Sequence, residues 1–108
     1  MSLIVGIDPS FTRTGISVVN TLDKSVVYGS VSGDSSGIYK LDVLYCTAKT
    51  LAKKIVTEIK TLSCGGVISL ICQEYPVAAS RPGSVLFVLS AFLWEEIKSE
   101  FPNVDPIS

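Results

Sequence analysis

Two acids in this chain stand where carboxylates can do chemistry. Asp8 closes the apolar, β-branched run Leu3, Ile4, Val5 and Ile7, and Glu74 follows the continuous apolar run Val67 to Cys72 and Gln73. Each run has the character of a strand covered on both faces, so each acid falls at a strand end. Histidine is absent, which removes Ser-His and Cys-His nucleophile pairs and leaves Asp and Glu to carry any catalysis. The cysteines, Cys46, Cys64 and Cys72, are odd in number and lack CxxC spacing. That argues against zinc and for reduced, structural thiols. Two carboxylates held close repel one another, and a divalent cation relieves the repulsion; an all-oxygen donor set suits Mg²⁺ or Mn²⁺. On spacing alone a plainer reading stays open. Asp8, next to Pro9, can cap a turn, and both acids can be surface carboxylates bonded to local backbone amides.

The elements that must position this pair can be read in order. Pro9 cannot donate to a ladder and Gly15 frees the backbone where a second β-branched run, Ile16 to Val19, begins, which is the signature of a hairpin. Asn20 to Lys24 is a polar turn, Ser25 to Ser32 a third strand, and Gly33 to Gly37 a loop. Leu41, Leu44, Tyr45, Ala48, Leu51, Ala52, Ile55, Val56, Ile59 and Leu62 then recur at the helical period, and Ser63 to Gly66 offers glycine for a left-handed cap. The run Val67 to Cys72 reads as a buried central strand. After the loop Pro76 to Gly83, Ser84 is positioned to cap a helix carrying Val85, Val88, Leu89, Phe92 and Ile97, with Glu95 and Glu96 facing solvent. Val104 to Ile107 begins a fifth strand. A meander of three strands leaves one edge of the first strand free, and a right-handed crossover through the long helix sets the fourth strand parallel on that edge. The expected architecture is therefore α/β, a mixed sheet of order 3-2-1-4-5 with helices packed on it. Asp8 and Glu74 become neighbours at the carboxyl ends of adjacent parallel strands, where open α/β sheets place their ligands.

Composition sets the outer bounds. With 47% hydrophobic residues and a mean hydropathy of +0.47, the 108 residues suffice for one domain with its own core. No apolar run approaches the roughly 18 residues of a membrane span, and the N-terminus lacks signal-peptide character, so no membrane association and a cytoplasmic setting are expected. A formal net charge of -1 makes no global case for nucleic acid. Lys49, Lys53, Lys54 and Lys60 crowd one helix and read as a solvated face. Arg13 and Arg81 stand out because each lies in a loop close to one of the two acids.

At these residues the chain resembles the RuvC-type Holliday junction resolvases of the ribonuclease H-like superfamily, particularly the short phage versions. The first block is IVGIDPSFTRTGISVV and the second LICQEYP, with the helix after Gly83 continuing the correspondence. The resemblance implies a ribonuclease H-like fold and a homodimeric, structure-selective endonuclease that hydrolyses phosphodiesters in branched DNA. It implies two Mg²⁺ ions per site, Mn²⁺ being an alternative, with Asp8 bridging the metals and Glu74 ligating one of them. One ion would then activate the attacking water and the other would stabilise the leaving 3′ oxygen. Arg13, Arg81, Thr12 and Tyr75 become candidate DNA contacts, with salt bridges or solvation open for the arginines and packing against the sheet open for Tyr75. The family's remaining acids sit on a final helix after the fifth strand. The sequence stops at Ser108, so a single domain lacking that helix, with an incomplete catalytic set, is expected. Two other readings stand beside it. One is a non-catalytic DNA-binding or assembly module of the same fold. The other is a fragment of an actin-like ATPase, which also opens on Gly-Ile-Asp and would set Asp8, Thr12 and Thr14 near nucleotide phosphates; the apolar strand ending in Glu74 argues against it.

Overall fold

The opening hairpin forms where proline and glycine require it. β1 (Leu3–Asp8) runs antiparallel to β2 (Arg13–Asn20), with Leu3 opposite Asn20 and Asp8 opposite Gly15, and β2 runs antiparallel to β3 (Val26–Ser32). The computed structural model describes residues 2–74 and 83–107. Beyond β3 the chain enters α1 (Leu41–Ser63), returns as β4 (Ile68–Gln73) parallel to β1, and continues through α2 (Gly83–Glu100) to β5 (Asp105–Ile107), parallel to β4. The sheet has the order β3-β2-β1-β4-β5 that the meander and crossovers demand.

Strand alternation decides where the core lies. Leu3, Val5 and Ile7 of β1, Ile16 and Val18 of β2 and Ile71 of β4 turn to one side, where they join the buried stripe Leu44, Ala48, Leu51, Ile55 and Ile59 of α1. Leu89, Leu93 and Ile97 of α2 complete the same cluster. Leu93 had not stood out in the sequence, since it falls between the periodic positions Leu89 and Ile97 in a helix rich in apolar residues. Leu41 and Tyr45, counted with the apolar stripe of α1, are 65% and 49% exposed, and Tyr45 rests edge-on against Phe92 at 5.9 Å.

Covering β1 and β4 on both faces does not hold among the described residues. Both helices share one core, so the alternate positions Ile4, Leu70 and Cys72 stay partly exposed on the opposite side. The cysteines are free thiols, yet Cys46 and Cys64 are exposed and not part of the core. Cys64 itself takes the left-handed C-cap of α1 at φ 50°, with Gly65 following at φ 76°, so the reversal begins one residue before the glycines.

The seam between the helices corrects the reading of the lysine face. Lys53 pairs with Glu96 at 3.6 Å and Lys60 hydrogen-bonds Glu100, so two of the four lysines reach carboxylates on α2 and Glu96 is only partly exposed. Exposed pairs of this kind contribute about 0–1 kcal/mol each, and the apolar contacts between the helices dominate.

A buried polar contact ties the end of β4 to α2. Ser90 Oγ donates to Gln73 Oε1, and Gln73, only 2% exposed, keeps its Nε2 without a partner among the described residues. Removing the hydroxyl would leave both polar atoms of the Gln73 amide unsatisfied. Ser90→Ala is expected to destabilise the fold by about 1–3 kcal/mol, read as a lower thermal midpoint. An unchanged midpoint would mean that Ser90 does not anchor β4.

Candidate active site

The pairing of β4 with β1 brings the two acids together. Ile7 is the register partner of Gln73, and one residue on, the Glu74 amide donates to the Ile7 carbonyl at 2.9 Å. Gln73 points into the core, so alternation turns Glu74 to the other face of the sheet. Asp8 occupies that face for the same reason, since Ile7 before it is buried. Both carboxylates are exposed. A hydrogen bond with Asp8, and then the charge of Asp8, raise the Glu74 carboxyl above its ordinary range. The two carboxylates thus stand as neighbours on one face of the sheet.

The loop between β1 and β2 is held by hydroxyls. Ser10 N donates to Thr14 Oγ1 at 3.2 Å, and Thr14 Oγ1 donates back to the Ser10 carbonyl at 3.0 Å. Ser10 Oγ accepts from the Thr12 amide at 3.2 Å and lies 3.0 Å from Thr12 Oγ1. Phe11 is driven into the core, and the Gly33 amide closes on the Thr12 carbonyl at 2.9 Å. A Cβ at Gly33 would stand 2.3 Å from the Phe11 carbonyl oxygen, so only glycine lets the two segments meet. Sequence reasoning passed over Ser10; its signal was the i, i+4 hydroxyl spacing with Thr14 around the turn.

Each remaining candidate can be placed against this frame. Thr12 is exposed on the loop. Arg13 is exposed at the start of β2, makes no ion pair with a described residue, and by alternation shares the face of Gly15 and Asp8. Thr14 is fully buried and committed to Ser10, so it cannot reach a nucleotide phosphate, and the ATPase reading loses one of its three residues. Arg81 and Tyr75 lie outside the described residues. Among the described residues no group of three or more His, Cys, Asp or Glu assembles as a metal site. The oxygen donors on hand are those of Asp8 and Glu74.

The architecture has a clear counterpart among solved structures. Thermus-type RuvC, described as "T. thermophilus RuvC in complex with Holliday junction substrate", superposes with a TM-score of 0.67 over 98% of this chain at 14% identity. The chain shares the ribonuclease H-like fold of that structure. It spans 62% of the length of that protein. Human ENDOV aligns with a TM-score of 0.47, 16% identity and coverage of 82% of this chain and 42% of its own. The Aquifex aeolicus PPX-GPPA enzyme gives 0.38, 12%, 99% and 36%. Both of those scores are too low to bear on function. No protein-family model and no curated protein sequence matches the chain.

The raised Glu74 carboxyl carries a stability consequence with a definite sign. Its contribution is fully present below the ordinary glutamate pKa and is lost as pH rises through the raised value, because the second negative charge then faces Asp8. Glu74→Gln is therefore expected to raise the thermal midpoint at neutral pH. The gain should shrink as the buffer is taken below the ordinary glutamate range. A midpoint difference that does not depend on pH would argue against repulsion within the pair.

Proposed function

We propose that this chain is the catalytic domain of a metal-dependent endonuclease that cuts branched DNA by phosphodiester hydrolysis. The observation that carries the reading is the contact between Asp8 and Glu74 at the ends of adjacent parallel strands on a RuvC-type sheet. The pair offers only oxygen donors, and the hydrogen bond with Asp8, followed by its charge, already raises Glu74, a setting that favours Mg²⁺ or Mn²⁺. A divalent cation bound there supplies charge neutralisation at the phosphate and acidifies a water. Asp8 and Glu74 are the residues that would hold and orient such a cation. Hydrolysis adds water to phosphorus and breaks the bond to the 3′ oxygen, which takes up the proton. Exposed Arg13 and Thr12 on the adjoining loop and strand contact backbone phosphates, and Arg81 and Tyr75 extend the DNA interface. The solved RuvC neighbour is bound to a Holliday junction, which supports a branched substrate here; two symmetric nicks would require a homodimer.

A non-catalytic DNA-binding module of the same fold is the second reading, favoured by the absence of a third acid at the pair among the described residues. A labelled four-way junction and a matching linear duplex, each incubated with Mg²⁺ or Mn²⁺, separate the two. Junction-selective nicking that falls about a hundredfold or more in Asp8→Asn and Glu74→Gln, with junction binding retained, is the expected result. Binding without nicking would identify the non-catalytic module, and neither binding nor nicking would remove DNA from the account. Independently of activity, Mg²⁺ should raise the thermal midpoint of the wild-type protein and not that of Asp8→Asn.

A further inference from the structure

Asp8 borders a cavity of about 330 Å³ on the side of the sheet that neither α1 nor α2 covers among the described residues, shared with Gly6, Gly15, Ser17 and Tyr28. Register explains the grouping. Asp8 lies opposite Gly15, Gly6 opposite Ser17, and Ser17 opposite Tyr28, so the cavity runs obliquely from the end of β1 across β2 to β3. Tyr28 forms its far wall and is 76% exposed. An aromatic ring that contributes so little to the core gains nothing from folding, and its phenol edge and flat face are open to a ligand. Gly15 points the same way. A Cβ there would meet nothing closer than the Cβ of Asp8 at 3.9 Å, an ordinary contact, and its φ is not positive. The fold therefore does not require glycine at this strand position, where glycine costs stability, while a side chain would project into the space beside Asp8.

We infer that this cavity seats the DNA strand next to the scissile phosphate, with Tyr28 stacking on a base one or two nucleotides away. The inference rests on the endonuclease reading and adds to it a substrate-positioning residue. Two strand spacings across the sheet and two residues along it put the Cα atoms of Asp8 and Tyr28 roughly 12 Å apart. A phosphate held at Asp8 thus leaves its neighbouring nucleotide over the Gly15 and Ser17 floor. Stacking on an aromatic is tolerant of base identity, so Tyr28 would strengthen binding without selecting a sequence.

The test uses the whole chain and a four-way junction carrying 2-aminopurine one or two nucleotides from the crossover, in buffer without divalent cations so that binding is read apart from cleavage. Wild-type protein should quench the probe, Tyr28→Phe should preserve the quench, and Tyr28→Ala should lose it and bind about five- to a hundredfold more weakly. Gly15→Val, checked for an intact thermal transition, should weaken binding through the opposite wall. If Tyr28→Ala quenches and binds like wild type while the wild-type protein binds and nicks junctions, this inference falls and the endonuclease reading stands. If the wild-type protein binds no junction DNA, both fall together.

Discussion

The parallel register between β1 and β4 is the constraint on which the rest of the molecule depends. Pairing Ile7 with Gln73 sets Asp8 and Glu74 side by side, and a slip of one residue would turn Gln73 outward and Glu74 into the core. Several interactions hold that register. Val5 and Ile71 are paired and fully buried, the Glu74 amide extends the ladder to the Ile7 carbonyl, and Ser90 grips the Gln73 side chain from α2. A carboxylate pair is unfavourable in itself, and it persists because apolar burial on the other side of the same two strands overrules the repulsion.

Packing on a single face leaves that arrangement accessible. α1 and α2 bury against one side of the sheet, joined by their apolar stripes and lightly by lysine-glutamate pairs along the seam. The other side is left with small and polar positions around the acids: Gly6, Asp8, Gly15, Ser17 and, further out, Tyr28. Because side chains alternate, the residues that secure the strands and those that line the other side come from the same short segments. Stability and access are divided by parity along each strand.

The loop that follows Asp8 is ordered by bonds of its own. The reciprocal contacts of Ser10 and Thr14, the burial of Phe11 and the close approach of Gly33 leave the segment between the strands little freedom. Asp8 is thereby carried on a strand end clamped from both directions. Such rigidity would suit the cation-holding role proposed for Asp8, since misplacement of catalytic groups by an ångström is costly.

Much of this could be read from the chain alone, because the determinants were local. Alternating and continuous β-branched runs, Pro9 and Gly15 at the hairpin, and the three-and-four spacing through α1 each specify an element within a few residues, and the order of elements then restricts the sheet to 3-2-1-4-5. Asp8 and Glu74 were legible as strand-end acids by the same logic. Tertiary structure decided what depends on distant partners. It fixed which side of β1 and β4 is covered, which lysines meet acids on α2, that Thr14 is buried against Ser10, and that Tyr28 stands across a cavity from Asp8. None of these follows from periodicity, because each depends on how two elements far apart in sequence lie against one another, and only the packed core sets that geometry.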